Sequence, residues 1–453
     1  MSYPNPTPTL LLPNLPPKTL VGIDLITFTS TPNFHGVRDI PPGWHFVYTG
    51  TTEGLSLRVG GWFFVAGRSG TRGEVKPGTE IIVWPWNNET ENLEVLTEDR
   101  SAEAMRYKAN VRGLWSVGGL FGYRSRVSTV IAMGALQRSG GGGGSAADEG
   151  GIDEDEEEGR KEWGTLTGWL SERVLSRITG VPGVDWEGRP RWVVTSGSTA
   201  RRDDDDIPGL EGQGVSGTGN GNESRVGEKE RDFSFLSVDL KMTWREGAIG
   251  RERTEAARDK SWALGEVIRS VSPSGDEEAE GEAQVLGELQ FTFLMGLTLM
   301  NYSCLQQWKR LLRLILTCRR AIVERALFMA NVLDLLLLQL KRCDDVEGGL
   351  FDQLGAEGGT EGAEFLRRLL AGFRTALYEV LEDIEVPTPV RAEFERLESW
   401  VKSEYDWELN RDVVLRKGML QLEDGEEVEM EMVDHEEYAP VVVDLDAGNE
   451  GLR

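Results

Sequence analysis

The C-terminal half of the chain carries a nearly continuous helical pattern, and this pattern constrains the fold more than any other feature. From residue 283 to about residue 416, apolar residues recur at intervals of three and four, which gives each segment one apolar face. Polar, Gly- or Pro-containing breaks separate most of the segments. The pattern predicts helices over 287–299, 305–318, 322–341, 364–384 and 390–411. Amphipathic helices bury their apolar faces best against one another, so we predict an antiparallel α-helical bundle.

The first 135 residues follow a different pattern, with short β-forming runs between turn signals. The runs at 20–28, 44–48, 62–66 and 80–86 are rich in aromatic and β-branched residues. Helical spacing then predicts one amphipathic helix over 163–179. We therefore predict an α+β multidomain fold. It has an N-terminal β-rich domain of sandwich or barrel type, a C-terminal all-α helical domain and an extended C-terminal tail.

Stretches rich in glycine and acidic residues separate these blocks. They predict a disordered acidic insert over 138–160 and a disordered linker over 180–232. Alternating residues at 233–240 predict a strand. The predicted domains are 1–179 (β-rich), 233–271 (strand and connector), 284–418 (helical) and 419–453 (acidic tail with a β-strand at 438–445).

The formal net charge of −27 belongs mainly to these stretches. Four segments, 148–158, 203–206, 276–282 and 419–453, hold 29 of the 76 acidic residues and one of the 49 basic residues. The remaining chain has 47 acidic and 48 basic residues and is close to neutral. Affinity for phosphates needs a net basic surface, so a general nucleic-acid-binding role is disfavoured.

Cysteine spacing and hydropathy indicate a reducing compartment. Cys304, Cys318 and Cys343 match no zinc motif and lie in helical sequence, so we predict buried free thiols. The N-terminus lacks the basic and continuous apolar parts of a secretory signal. The longest apolar run, 327–340, is too short to span a membrane. We expect a soluble protein of the cytoplasm and nucleus, without membrane contact.

Motifs of catalysis or cofactor binding are missing from the sequence. There is no phosphate-binding loop of the Gly-Lys-Ser/Thr type, no nucleophile elbow and no His-Glu-x-x-His. We predict no enzyme activity, no catalytic residue, no metal and no cofactor. Two alternatives stay open. One is an enzyme with an unrecognised site in the β domain near His35 or His45, and the other is an RNA-binding adaptor that uses the basic residues of 309–320.

The segment 438–445, Tyr-Ala-Pro-Val-Val-Val-Asp-Leu, is a compact β-former within the acidic tail. Pro440 prevents a helix there, and the three valines favour a strand. The segment either folds back as an edge strand on its own β domain or adds as a strand to a sheet of another protein, and we favour the second. The candidate partner-binding residues are Tyr438, Pro440, Val441, Val442, Val443, Asp444 and Leu445.

Ser272 is the candidate phosphorylation site. It precedes Pro273 in a polar break before the helical block, close to the acidic residues of 276–282. A phosphate would add about −1.5 to −2 charges beside those acids and could alter how the domains dock. An inert phosphosite in a loop is the alternative.

Five segments of the chain resemble the Aar-two family of spliceosomal U-five snRNP assembly factors. The first, 10–46, contains Gly-Ile-Asp at 22–24 and Ile-Pro-Pro-Gly-x-His-Phe at 40–46. The others are Gly-Trp-Phe-Phe at 61–64, the stretch 233–264, the stretch 287–315 with its Gln-Gln-Trp-Lys-Arg-Leu-Leu, and 439–450. They follow the family's order over nearly the whole chain, and the regions 138–160 and 180–231 depart from it.

The resemblance implies a non-enzymatic assembly chaperone for pre-mRNA splicing. Family members bind the RNase H-like and Jab/MPN-like domains of the large scaffold protein of the U-five particle. They hold off the particle's RNA helicase until maturation, and phosphorylation is implicated in that exchange. We therefore expect the scaffold protein as the partner and no direct contact with nucleic acid.

Overall fold

The computed structural model describes residues 7–50, 57–67, 80–125, 149–200, 233–272, 278–343, 360–382, 388–410, 417–421 and 427–431. The chain divides into two compact units. Unit 1 comprises residues 1–236, 279–309 and 335–362, and unit 2 comprises residues 237–278, 310–334 and 363–453. The units are interleaved along the chain, whereas the domain division predicted from the sequence is linear.

The strands of unit 1 form two main sheets. They are β1 (Thr9–Leu11), β2 (Leu20–Ile23), β3 (Ile26–Thr29), β4 (Gly36–Arg38), β5 (Gly43–Gly50), β6 (Val59–Val65), β7 (Ile81–Val83), β8 (Trp86–Asn87), β9 (Asn92–Leu93), β10 (Leu120–Gly122), β11 (Gly183–Val184) and β12 (Pro190–Thr195). The order is β10-β4-β1-β7 in a four-stranded sheet and β11-β12-β6-β5-β2-β3 in a six-stranded sheet. A small third sheet pairs β8 with β9.

Alternation along the strands builds one core from both main sheets. Leu10 and Val37 of the four-stranded sheet cluster with Val47, Phe63 and Val65 of the six-stranded sheet, and all five are buried. Side chains two residues apart share a face of a strand, which is why the odd-numbered residues of β5 and β6 reach this core. The prediction of a β-rich N-terminal region is confirmed.

Helices cover the outer faces of the sheets in unit 1. They are α1 (Ser101–Ala109), α2 (Val111–Ser116), α3 (Glu149–Leu166) and α4 (Glu172–Thr179). Leu11 and Val83 pack with Ala104 of α1 and Val111 of α2. Against the other sheet, the indole of Trp163 in α3 stacks on Trp62 of β6 with ring centroids 6.3 Å apart.

The remaining helices confirm that the C-terminal region is helical. They are α5 (Arg251–Arg258), α6 (Ser261–Val271), α7 (Glu278–Leu299), α8 (Tyr302–Ile315), α9 (Ala321–Glu324), α10 (Ala326–Lys341), α11 (Thr360–Leu381) and α12 (Pro389–Tyr405). At the start of α12, the Thr388 hydroxyl accepts from the Arg391 N–H, and Pro389 occupies the first helical position. The helix predicted over 322–341 is interrupted at Arg325, between α9 and α10.

The prediction of a disordered insert through residue 160 is wrong from residue 149 onwards, where α3 begins. Tertiary contacts stabilise this acidic helix. Glu156 accepts hydrogen bonds from the Ser125 N–H at 3.0 and 3.1 Å, and the Trp163 indole N–H donates to the Trp44 carbonyl oxygen at 2.8 Å. Residues 138–148 lie outside the described residues.

The prediction of a disordered linker over 180–232 is wrong for its first part. Strands β11 and β12 lie there, and Trp192 of β12 pairs with Trp62 of β6 in the six-stranded sheet. Residues 201–232 lie outside the described residues. The helix predicted over 163–179 consists of two, since α3 ends at Leu166 and Ser171 caps the start of α4 by accepting from the Val174 N–H.

Residues 233–240 are not a strand, and the region that follows is not only a connector. The segment makes no strand pairing, because the Leu236 N–H donates to the Glu288 carboxylate instead. Residues 251–258 and 261–271 form α5 and α6.

The tail contains a β-hairpin of β13 (Lys417–Gln421) and β14 (Glu427–Glu431). The predicted strand at 438–445 lies outside the described residues. The prediction of buried free thiols is confirmed for all three cysteines. Among the described residues, no helix has the length and hydropathy that a membrane span requires.

Candidate functional site

A buried polar cluster joins the motifs at 22–24 and 40–46. Asp24 lies in the tight turn between β2 and β3 with φ at 55°, a left-handed conformation that aspartate tolerates. Its carboxylate accepts from the Phe46 N–H at 2.9 Å and the Tyr123 hydroxyl at 2.5 Å, and it lies 2.8 Å from His45 Nδ1. The cluster therefore ties the β2–β3 turn to β5 and to the segment after β10.

Both ring nitrogens of His45 are occupied. Nδ1 faces the Asp24 carboxylate, and Nε2 lies 2.8 Å from the Pro41 carbonyl oxygen. Burial, together with the charge of Asp24, holds the pKa of Tyr123 well above its ordinary value, so its hydroxyl stays a donor. A general base needs a nitrogen within reach of a substrate proton. The geometry of His45 is therefore that of a structural histidine.

A groove of about 380 Å³ lies beside this cluster, between the start of β5 and helix α3. Its lining includes Pro41, Pro42 and Trp44 on one side, and Glu157, Arg160 and Lys161 on the other. The hydrogen bond from the Trp163 indole to the Trp44 carbonyl oxygen joins the two walls. The groove thus combines an aromatic and proline wall with a charged helical wall.

A second buried polar cluster is centred on the carboxylate of Glu288 in α7, which is fully buried. It accepts from the Arg177 guanidinium at 2.6 Å, from the Gln307 amide at 2.8 Å and from the Leu236 N–H at 3.0 Å. Burial raises the pKa of Glu288, while the charge of Arg177 and the hydrogen bonds oppose the rise. Within unit 1, these contacts join residues 233–236 to residues 287–309, and each of these ranges is part of a stretch that carries the family resemblance.

The basic residues of 309–320 are engaged within the protein. Arg310 is buried, with 4% of its surface exposed. The Arg313 guanidinium lies 4.8 Å from the ring centre of Phe365. Arg319 pairs with Glu379, and Arg320 pairs with Asp259. This stretch is not an open basic stripe of the kind that an RNA-binding adaptor needs.

A wider groove of about 700 Å³ lies in unit 2 between α5, α6 and α9. Trp262, Val323 and Val380 contribute apolar surface to it, and Val323 is 52% exposed. Asp259, at the turn between α5 and α6, accepts from the Ser261 hydroxyl and from the Arg319 N–H at 2.9 Å. Burial works to raise the pKa of Asp259, but the hydrogen bonds from Ser261, Arg320 and Arg319 outweigh it and hold this pKa below its ordinary value.

Of the predicted partner-binding and phosphorylation residues, the structure describes only Ser272, which lies in neither polar cluster. The residues of 438–445 lie outside the described part of the chain. Ser272 caps the C-terminal end of α6, where its hydroxyl donates to the Ile268 carbonyl oxygen at 3.0 Å. Within the described residues, no group of three His, Cys, Asp or Glu side chains could hold a metal ion.

Sequence reasoning missed the role of Glu288, although a signal was present. The residue is an acid inside the apolar stretch from Val285 to Leu299, where a charge needs a buried partner. The partner, Arg177, is 111 positions away in sequence, so no local pattern reveals it.

The family models and the known relatives that match this chain all belong to one family. The model of the AAR2 N-terminal domain matches residues 6–180, and that of the AAR2 C-terminal repeat region matches residues 235–410. Protein AAR2 homolog from Macaca fascicularis is 24% identical over 98% of this chain and 94% of its own length. The homologs from Homo sapiens and Mus musculus are 26% and 25% identical, each over 73% of this chain and 75% of their own length. The two family models cover most of the sequence in the expected order, and the chain belongs to the AAR2 family.

Proposed function

We propose that this protein is a non-enzymatic pre-mRNA splicing factor that acts as an assembly chaperone of the U-five snRNP. Membership of the AAR2 family carries the proposal and supports a role in splicing. The five sequence segments that resemble spliceosomal assembly factors lead to the same function. Such a factor would be located in the cytoplasm and the nucleus.

The use of buried polar groups supports binding rather than catalysis. Asp24, His45 and Glu288 each have their polar atoms engaged by neighbours inside unit 1. A catalytic acid or base must reach a substrate from a cleft. These side chains instead hold the motif-bearing segments together.

The proposed partner is the large scaffold protein of the U-five particle, bound through its RNase H-like and Jab/MPN-like domains. The tail segment 438–445 would add as a strand to a sheet of the partner, with backbone hydrogen bonds for affinity and alternating side chains for register. Ordering eight residues costs about 8–16 kcal/mol of backbone entropy. The strand therefore works as a second, tethered contact, at high effective concentration once the body of the protein has bound.

Occupation of the scaffold surface would also hold off the RNA helicase of the particle. Two proteins that need the same surface cannot bind together, so release of the factor would permit the helicase to enter. Phosphorylation at Ser272 is the proposed trigger, since it adds charge next to the acidic residues of 276–282.

Binding to isolated partner domains tests this function. Purified full-length protein should retain the RNase H-like and Jab/MPN-like domains in a pull-down, and the helicase should compete with it for them. A protein that retains neither domain, under conditions in which the helicase binds, would refute the proposal. Retention of U-five RNA without the protein domains would instead favour an RNA-binding adaptor.

A further inference from the structure

The described chain begins beside the groove next to His45. At its start, the Asp39 N–H donates to the Thr7 hydroxyl oxygen at 3.2 Å, and the Ile40 N–H donates to the Pro8 carbonyl oxygen at 3.1 Å. Thr7 and Pro8 are therefore held against Asp39 and Ile40. The residues that follow Ile40, from Pro41 to His45, form one wall of the groove.

The direction of strand β1 indicates that the residues before Thr7 run along this wall. Strands β1 and β4 are antiparallel, with Thr9 opposite Arg38. In an antiparallel pair, the residues before one strand run beside the residues after the other. The six residues that precede Thr7 have a reach of about 20 Å when extended, which exceeds the length of residues 41–45.

The wall has the chemistry that binds extended, proline-containing chains. Such chains dock on aromatic and proline surfaces, because they lose little entropy on binding. Trp44 supplies an aromatic surface that continues into Phe64, with ring centroids 5.2 Å apart and Phe64 46% exposed. Gly43 and Gly164 leave open space on opposite sides of the groove, since nothing lies within 4 Å of where a Cβ would stand.

Residues 1–6, Met-Ser-Tyr-Pro-Asn-Pro, match that wall. Proline restricts the residue before it to extended backbone, so Pro4, Pro6 and Pro8 together favour an extended segment. Tyr3 adds an aromatic ring of the kind that packs on tryptophan and proline. The segment carries no charged side chain that the groove would have to desolvate.

We propose that residues 1–6 of this chain dock in the groove between Pro41–His45 and α3, as an intramolecular proline-containing ligand. The segment then covers Trp44 and the groove-facing side of α3 in the free protein. This inference goes beyond the proposed function and does not depend on the identity of the scaffold partner.

Site-directed crosslinking tests the proposal in the full-length protein. The variant Asn5→Cys with Lys161→Cys places one thiol on the segment and one on the groove. The matched control combines Asn5→Cys with Asp155→Cys, an exposed residue of α3 that lies six positions, or about 9 Å, along the helix. The three native cysteines are buried, so a short bismaleimide reacts at the new sites.

We expect crosslinking with Lys161→Cys to be about tenfold faster, because docking raises the effective concentration. Equal rates would overturn the proposal.

Hydrogen exchange distinguishes the chain's own segment from a ligand supplied by another protein. Deletion of residues 1–6 should speed amide exchange in 41–45 and 157–167. A synthetic peptide of residues 1–7 should reverse the effect, and the same peptide with Pro4→Ala and Pro6→Ala should not. If the proline peptide slows exchange in the full-length protein as strongly as in the deletion variant, the groove is open to outside ligands and the chain's own segment does not occupy it.

Discussion

Glu288 is a carboxylate inside an apolar helix, and its raised pKa predicts a pH dependence of stability. The folded protein holds the Glu288 proton more readily than the unfolded chain does. The stability that this group contributes is therefore fully present below the unfolded pKa of about 4.5 and is lost as the pH rises through the folded pKa. The charge of Arg177 limits the loss without cancelling it.

The variant Glu288→Gln should show a flatter dependence of stability on pH than the wild type. Within the window above about pH 4.5, the difference in slope can reach about 1.4 kcal/mol per pH unit. Urea unfolding at a series of pH values measures it. The variant Glu157→Gln, which removes one charge from the surface of α3, is the control. Parallel curves for Glu288→Gln and the wild type would contradict the account.

Asp24 and Tyr123 should act as a coupled pair. Loss of the donor in Tyr123→Phe is expected to lower the free energy of unfolding by about 1–2 kcal/mol, and Asp24→Asn by about 2–3 kcal/mol, because the lost bonds involve a charged acceptor. The double variant should lose less than the two single losses combined, by at least about 0.5 kcal/mol. Chemical unfolding of the four proteins checks this, and simple additivity would show that the 2.5 Å contact contributes nothing.

At the scale of elements, α3 gives the acidic residues from 149 onwards a structural role. Deleting residues 138–148, which precede α3, should leave partner affinity within about threefold, roughly 0.6 kcal/mol. Deleting 149–160 should lower the melting temperature by several degrees, as a loss of about 2 kcal/mol would, because Ser125 loses its bonds to Glu156. Circular dichroism melting separates the two deletions, and equal melting temperatures would refute a structural role for α3.

Ser272 lies where a negative charge should destabilise a helix end. The C-terminal end of a helix carries a partial negative charge, so an added anion costs about 0.3–1 kcal/mol there. The variant Ser272→Glu should therefore speed amide exchange in the last turn of α6 more than Ser272→Ala does, since the alanine variant loses only the bond to Ile268. Identical exchange in both variants would exclude a charge-driven switch at this residue.

Local sequence patterns predicted the helices that have their own apolar periodicity. They failed where contacts with residues distant in the sequence determine the conformation. The five helical segments between 287 and 411 were predictable, because apolar periodicity is written into each of them. The acidic start of α3 was not, since its helix depends on Ser125 and on Trp44, 119 positions before Trp163. The alternation at 233–240 resembles a strand, but the Leu236 N–H donates to a buried carboxylate rather than to a neighbouring strand.

At the scale of the whole molecule, segments that are far apart in the sequence belong to the same compact unit. Strand β12 completes the six-stranded sheet although it is about 130 residues from its neighbour β6. Residues 279–309 belong to the same compact unit as the N-terminal sheets. Sequence blocks of uniform pattern could not reveal this interleaving, because a pattern shows that a face is apolar and not which face covers it.

The candidate site shows the same limit. Asp24 and His45 were recognised in the sequence as parts of two motifs. The contact between them could not be predicted from the sequence and is seen only in the structure. The tail residues from Tyr438 to Leu445 could be chosen only for their strand-forming character. In the proposed function their partner surface belongs to another protein, so this chain alone would not specify it.

The central claim is that the protein binds the U-five scaffold protein through its body and its tail strand. The most direct test is the dissociation constant for the RNase H-like and Jab/MPN-like domains, measured for the full chain and for a chain truncated after Met432. A second, full-length variant with Val441→Ser, Val442→Ser and Val443→Ser removes the strand-forming side chains but keeps the length and charge of the tail. Truncation and serine substitution should each weaken binding at least about tenfold, or 1.4 kcal/mol, with the melting temperature of the free protein unchanged. Unchanged affinity together with a lower melting temperature would place the strand on the protein's own sheet and contradict the account.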